Sequence, residues 1–187
     1  MLIIKIIAKV SNRHIHLTKE DYYHLFREEI SKRNDLTQPG EYASNQTVTI
    51  KGPKRSIENV RVLGPFRETT QVEVSKTDCY TLGIDAPVRI SPDLEDAALV
   101  TIIGEVGEIT KNAAIIAARH IHITPDKQKE LNLYEDQVSI KINNAKGGIL
   151  ENVYIRSSDK YAYELHLDTD DANSMLINQD DELEIIK

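Results

Sequence analysis

The chain contains little cysteine and few large aromatic residues. Its 187 residues include no tryptophan, two phenylalanines and one cysteine, Cys79. A single cysteine excludes an intrachain disulfide and any zinc site made of several cysteines. The apolar stretch Leu2–Val10 is too short to span a membrane, carries Lys5 and Lys9, and lacks the cleavage pattern of a signal peptide. We therefore expect a cytoplasmic protein with no membrane partner.

Positive charge is also in short supply. Lysine and arginine number 23 against 30 aspartates and glutamates, which gives a formal net charge of −7. This balance argues against a nucleic-acid partner, because such partners are normally bound by basic surfaces. A length of 187 residues suffices for one domain or two small ones with a real core.

Short apolar, β-branched segments make up most of the chain, and turn signals such as Gly64-Pro65 and Gly147-Gly148 separate several of them. Many short strands with few helices predict a mainly β protein made of compact barrels. The predicted strands are Leu2–Val10, Thr47–Lys51, Asn59–Leu63, Gln71–Ser75, Val88–Ile90, Ala98–Ile103, Glu108–Thr110, Ala113–Ala117, Gln137–Ile142, Ile149–Arg156, Tyr163–Asp168 and Glu182–Ile186.

Helical periodicity is clear in one segment, Lys19–Lys32, where Tyr22, Phe26 and Ile30 recur near helical spacing. The polar stretch Ser31–Gln46 is predicted to be a loop or a small hairpin. The remaining helical predictions are a shorter helix at Pro125–Leu131 and short turns at Thr77–Leu82 and Asp170–Leu176.

The tetrapeptide Arg-His-Ile-His occurs twice, at residues 13–16 and 119–122, and holds four of the six histidines. In a strand, residues i and i+2 point to the same face, so each copy presents two imidazoles side by side. That arrangement suits a transition metal such as zinc. Each copy precedes a threonine, Thr18 or Thr124, at a plausible helix N-cap. Matching flanks make a chance repeat a poor explanation.

A second repeat supplies a third ligand for each copy. The segment Val72–Asp78 resembles Leu165–Asp170 with one residue of slip, since both read as a strand that ends in a Thr-Asp turn. Glu73 and His166 then occupy corresponding places. Three protein ligands with an open fourth position are typical of catalytic zinc. The predicted sets are His14, His16 and Glu73, and His120, His122 and His166; His24 receives no metal role.

One stretch is basic within this acidic protein. It contains five cations and one acid, Glu58; the cations are Lys51, Lys54, Arg55, Arg61 and Arg67. Guanidinium groups bind phosphate in a bidentate manner and lysine binds it as a point charge, so the stretch is a candidate phosphate site. The alternative is a solvent-exposed strand face.

These motifs together resemble the PduL-type phosphate acyltransferases, the phosphate propanoyltransferases of bacterial microcompartments and their acetate-forming relatives. The resemblance covers nearly the whole chain in order. It rests on Ser11–His16, Asn59–Pro65, Gln71–Glu73, Arg119–His122 and His166–Asp170.

The resemblance implies a pseudo-repeat of two small β-barrels with short capping α-helices. Barrel one would hold residues 1–12 and 118–187, and barrel two residues 13–117 with a small insertion near 28–46. It also implies two Zn²⁺ ions between the barrels and exchange of an acyl group between coenzyme A and inorganic phosphate, which yields acyl phosphate.

Site roles follow from the same resemblance. The two histidine sets would bind zinc, and Arg67 would bind phosphate and act in catalysis. The expected coenzyme A contacts are Ser11, Asn12, Arg13, Lys54, Arg61 and Asn173. Because Met1 leads directly into a predicted strand, without a targeting extension, we expect a free cytoplasmic enzyme rather than association with a microcompartment shell. The acyl chain length stays open. The oligomeric state also stays open, with a homo-oligomer as one alternative.

The expected chemistry is direct transfer from sulfur to phosphate, in preference to an acyl-enzyme on Cys79. Asp168 and Asp170 have two interpretations, acceptors for zinc-bound imidazole or turn stabilisers. Arg13 and Arg119 are expected to point away from the histidines, and ion pairing is the simplest role for both. Two rival functions are a dinuclear zinc hydrolase and a non-catalytic metal-binding module.

Overall fold

A computed structural model describes residues 3–187, so Leu2 of the first predicted strand lies outside the described residues. The elements in chain order are β1 Ile4–Ser11, β2 His14–His16, α1 Lys19–Phe26, β3 Lys32–Asp35, β4 Tyr42–Lys51, β5 Ser56–Gly64, β6 Gln71–Glu73, α2 Lys76–Leu82, β7 Val88–Arg89, β8 Ala98–Ile103, β9 Glu108–Ala117, β10 His120–Ile123, α3 Pro125–Glu130, β11 Gln137–Ile142, β12 Gly148–Ser157, β13 Glu164–Asp168, α4 Thr169–Ser174 and β14 Glu182–Ile186.

The chain divides into two compact units. The first is discontinuous and comprises the residues up to Ser11 together with Ala118–Lys187. Its six strands close into a barrel in the order β1-β13-β10-β12-β11-β14. Alternate side chains fill this barrel, among them Ile121, Ile140 and Leu165, all fully buried. The alternation of apolar and polar residues along each strand therefore produces a core on one face.

The second unit is Asn12–Ala117. Six of its strands also close into a ring, in the order β4-β5-β2-β6-β9-β8, because β8 pairs with both β4 and β9. β3 pairs with the first residues of β4, Tyr42–Ser44, and β7 pairs with β9. The segment 28–46 thus contributes a β3–β4 hairpin. The mainly β, two-barrel fold class predicted from the sequence is confirmed.

The two barrels repeat the same strand arrangement. Each His-x-His strand, β2 or β10, lies between one parallel and one antiparallel neighbour. The parallel neighbours are β5 and β12, and the antiparallel neighbours are β6 and β13. Ile15 and Ile121, the central residues of the two motifs, are 0% exposed. Burial of these isoleucines turns the histidines on either side to the opposite face of the strand.

The first helix is shorter than predicted. α1 ends at Phe26 and not at Lys32, because Arg27 adopts a left-handed conformation and its N–H caps the carbonyl of Tyr23. Tyr22 and Phe26 fill the core, whereas the residues after Arg27 are mostly exposed. The helix therefore has no apolar face to bury beyond that point.

The two strands predicted at Glu108–Thr110 and Ala113–Ala117 form the single strand β9. Lys111 and Asn112 interrupt the apolar pattern, but both continue the antiparallel ladder with β8. Tertiary pairing therefore overrides the local sequence signal. No helix within residues 3–187 has both the length and the apolar character needed to cross a membrane.

Candidate functional site

The first histidine pair lies opposite two polar residues of the neighbouring strand. In the antiparallel β2–β6 ladder, His14 faces Glu73 and His16 faces Gln71. Directly opposed residues of an antiparallel pair project to the same face of the sheet. The ligand atoms of His14, His16 and Glu73 accordingly lie within 4.8 Å of one another. The structure thus brings together the three side chains predicted from the repeat.

The second pair occupies the equivalent register position in the other unit. In the β10–β13 ladder, His120 faces His166 and His122 faces Glu164. The ligand atoms of the three histidines lie within 4.8 Å of one another. The ring centroids of His122 and His166 are 4.5 Å apart, and those of His120 and His166 are 5.2 Å apart. This cluster matches the three-histidine ligand set of some catalytic zinc sites.

The first histidine of each motif is held in one tautomer. His14 Nδ1 lies 2.9 Å from the carbonyl oxygen of Asn12, and His120 Nδ1 lies 2.8 Å from that of Ala118. Because a carbonyl oxygen only accepts, Nδ1 must carry the proton in both rings. The lone pair is then on Nε2 in both rings, a usual arrangement for metal-binding histidine.

His16 supplies the clearest test of whether a metal fits. Its Nδ1 is buried and has no hydrogen-bond partner among residues 3–187. Burial, together with the positive charges of His14 and Arg67, lowers the pKa of His16 well below its ordinary value. An unsatisfied buried nitrogen destabilises the folded protein when it has no partner. A metal ion binds the neutral form of imidazole, so a bound metal would satisfy this nitrogen. The donor set of two imidazoles and one carboxylate fits zinc.

The pKa of His14 moves the other way. Burial would lower it, but the carboxylate of Glu73 outweighs burial and raises the pKa of His14 above its ordinary value. Glu73 Oε2 lies 3.4 Å from His14 Nε2, so the two ligand atoms already point to one place. A cation at that place would satisfy both of them.

A hydrogen-bonded chain supports Glu73. Gln71 Nε2 donates to Glu73 Oε1 at 2.6 Å, and Ser91 Oγ donates to Gln71 Oε1 at 3.0 Å. Arg67 Nη1 in turn donates to Ser91 Oγ at 3.1 Å. Gln71 and Ser91 are both buried, so the chain fixes the orientation of the carboxylate.

Arg67 is the solvent-exposed end of this series of hydrogen bonds. Its Nη2 donates to Glu41 Oε1 at 3.2 Å, and its backbone N–H donates to the carbonyl of Leu17 at 2.9 Å. The side chain is 30% exposed. A partly exposed guanidinium whose charge reaches His16 can meet an anion that arrives from solvent beside the histidines.

The predicted coenzyme A contacts come from several different elements. Ser11 ends β1, Asn12 orients His14, and Asn173 is exposed in α4. Arg13 binds Asp78, and Arg61 Nη1 donates to the carbonyls of Ser44 and Asn45 at 3.1 and 2.9 Å.

The predicted basic stretch is not one cluster. Lys54 precedes β5 and Arg67 follows it. A nine-residue strand such as β5 spans about 30 Å. The role of Lys54 in binding coenzyme A stays a prediction.

The one-residue offset predicted between the segments Val72–Asp78 and Leu165–Asp170 is wrong. Ser75 and Asp168, which each follow the third ligand by two positions, are the N-caps of α2 and α4. Asp168 Oδ1 accepts the backbone N–H of Asp171 at 2.8 Å, and burial raises the pKa of Asp168 to about 6. Asp168 thus caps a helix.

Sequence reasoning missed the residues that contact the third ligands, Gln71 and Glu164. Each lies two positions before its ligand, and that i, i+2 spacing on one strand face was the available signal. It also missed Tyr161, whose ring stacks on His122 with centroids 4.1 Å apart and planes 12° apart.

The similarity of this chain to known proteins extends over both units. Residues 7–178 match a family model described as phosphate propanoyltransferase. A phosphate propanoyltransferase of Thermotoga maritima is 46% identical over 97% of this chain and 89% of the relative. Those of Citrobacter koseri and Priestia megaterium are 47% and 48% identical over 88% and 92% of this chain, and 80% and 81% of the relatives. The matched span contains all six candidate ligands.

Proposed function

Because the chain belongs to the phosphate propanoyltransferase family, and is therefore an acyltransferase, we propose that it exchanges an acyl group between coenzyme A and inorganic phosphate at a dinuclear zinc site. The substrates are acyl-CoA and phosphate, and the products are acyl phosphate and coenzyme A. The acyl group is acetyl or propanoyl. The expected cytoplasmic location stays part of the proposal.

The observation that carries the proposal is the recurrence of a three-ligand set at equivalent register positions in both barrels. One zinc ion would be held by His14, His16 and Glu73. The other would be held by His120, His122 and His166. Three protein ligands leave room for a substrate atom in a tetrahedral coordination sphere. Bound zinc supplies a Lewis acid that lowers the pKa of a thiol and polarises a carbonyl or phosphate oxygen.

The position and charge of Arg67 support the proposal that it binds phosphate. Ser91 and Glu41 hold its guanidinium, and the group stays partly exposed. A fixed guanidinium can bind two phosphate oxygens and orient the dianion for attack.

The reaction balances without a covalent enzyme intermediate. A phosphate oxygen forms a bond to the thioester carbonyl carbon, the carbon–sulfur bond breaks, and sulfur leaves with the bonding electron pair. Phosphate dianion is itself nucleophilic, so no side chain must remove a proton. Cys79 is 1% exposed and burial raises the pKa of its thiol, which supports direct transfer.

The test uses purified full-length protein with acetyl-CoA or propanoyl-CoA. We expect free coenzyme A and acyl phosphate to form together, and only when phosphate is present. Release of coenzyme A without phosphate would instead identify a zinc hydrolase. Chelation should remove zinc and activity in parallel, and added zinc should restore both. A metal-binding protein with no turnover would contradict the proposal.

A further inference from the structure

The two ligand sets differ in charge, and so do the residues beside them. Glu73 carries a negative charge in the first set, whereas the second set consists of three histidines. The neighbour of the third ligand is Gln71 in the first unit and Glu164 in the second. The carboxylate and the neutral group have thus exchanged positions between the two barrels.

Both neighbours contact the third ligand directly. Gln71 Nε2 donates to Glu73 Oε1 at 2.6 Å, while Glu164 Oε2 lies 3.2 Å from His166 Nε2. A carboxylate only accepts, so His166 Nε2 is the donor and Nδ1 carries the lone pair. Glu164 is 7% exposed, and Lys9 Nζ lies 3.8 Å from its Oε1. Burial restricts the carboxylate and reduces the screening of its charge by solvent and salt.

We infer that Glu164 is a positioning residue of the three-histidine site, which holds His166 in the metal-binding tautomer and supplies the negative charge that Glu73 supplies as a ligand in the other site. The inference rests on the proposed function, since it presupposes metal in both sets. A carboxylate behind a metal-bound imidazole raises the basicity of the ligand, and removal of such a partner typically lowers metal affinity about 10–100-fold.

Two substitutions separate orientation from charge. Glu164→Gln keeps an oxygen that accepts the His166 Nε2–H but removes the charge. Glu164→Ala removes both. The matched control is Glu135→Gln, which removes one charge from an exposed position of the same unit. We expect a zinc affinity about 10-fold lower for Glu164→Gln and up to about 100-fold lower for Glu164→Ala in competition with a chelating dye. Glu135→Gln should match the unmodified protein.

A mutant cycle assigns the effect to one site. In a His16→Ala background only the three-histidine site stays intact, and Glu164→Gln should weaken the remaining ion. In a His122→Ala background Glu164→Gln should change nothing further. Cobalt substitution adds a spectroscopic readout, because a residue outside the coordination sphere leaves the shape of the visible bands unchanged.

Each other outcome contradicts the inference. Equal affinity in Glu164→Gln and Glu135→Gln would remove the role of Glu164 and leave the proposed function standing. Weaker binding in the His122→Ala background would indicate general structural damage. Altered cobalt bands would make Glu164 a ligand. Absence of zinc binding by the unmodified protein would overturn both proposals.

Discussion

Arg13 Nε donates a hydrogen bond to Asp78 Oδ1 at 2.8 Å, and Arg13 Nη2 forms an ion pair with the same oxygen at 2.7 Å. Asp78 is also part of the capping box of α2 with Ser75. Arg119 and Asp171 repeat this pair in the other unit. The arginine before each His-x-His strand is thereby bound to the helix that follows the third candidate ligand. These two ion pairs hold each His-x-His strand in position relative to the strand that carries the third candidate ligand.

Loss of the Arg13–Asp78 ion pair should destabilise the second unit. We expect Asp78→Ala to lower the free energy of unfolding by about 2–3 kcal/mol, because it removes the partner of a guanidinium and half of a capping box. Asp85→Ala is the control, since its ion pair with Lys76 is exposed and worth about 0–1 kcal/mol. Urea unfolding of the metal-free protein measures both. Equal losses would show that the Arg13–Asp78 pair is not special.

The ligand assignment predicts half-occupied variants. His16→Ala should lose one of two zinc ions and His122→Ala the other, and both should lose activity, because two remaining side chains bind zinc weakly. His24→Ala serves as the control, since the ring of His24 lies in neither ligand group and contacts the backbone carbonyl of Glu108. Elemental analysis beside the acyl phosphate assay gives the result. Full zinc content in His16→Ala would exclude His16 as a ligand.

Phosphate binding should depend on Arg67. We expect Arg67→Ala to keep both zinc ions and to raise the phosphate KM roughly 10–100-fold, since a charge-assisted hydrogen bond contributes about 1.5–3 kcal/mol. The KM for acyl-CoA should change little. Arg89→Ala, which removes an arginine paired with Asp93 and Asp96, should leave the phosphate KM unchanged. An unaltered KM in Arg67→Ala would assign phosphate binding elsewhere.

Asp21 predicts a pH dependence of stability. Burial would raise its pKa, but hydrogen bonds from Lys111 and Thr70 outweigh burial and hold the pKa below the ordinary value. A depressed carboxyl pKa stabilises the fold above the unfolded value of about 3.9, and this contribution is lost as the pH falls through the folded pKa. Asp21→Asn should therefore cost about 1–3 kcal/mol at pH 7.

The difference between Asp21→Asn and the unmodified protein should begin to shrink below about pH 4, near the unfolded pKa, and should vanish once the pH falls below the depressed folded pKa. Unfolding of the metal-free protein across this range is the measurement. Glu20→Gln removes an exposed charge from the same first turn of α1 and is the control. A penalty that stayed constant with pH would indicate lost packing instead of lost charge.

The two groups of candidate ligands could be predicted from the sequence, because alternation and repetition are properties of the sequence itself. His14 and His16 share a face in any strand, whatever that strand pairs with. The i, i+2 spacing of Glu164 before His166 places both on one strand face, but only the strand register sets Glu164 opposite His122. The helix caps explain why the offset between the two repeats was predicted wrongly. Ser75 and Asp168 are different residues, but both occupy the N-cap position of the helix that follows. Local patterns therefore predicted most of the elements and the grouping of the candidate ligands, whereas the supporting contacts required tertiary pairing.

The discontinuous barrel joins stretches of chain that leave the ribosome at different times. Lys5 of β1 pairs with Glu182 of β14, 177 residues further on. At about 5–20 residues per second, β1 waits on the order of ten to thirty seconds for this neighbour, while the continuous barrel can already close. During synthesis β1 is an unpaired apolar edge, the kind of surface that aggregates or is protected by chaperones.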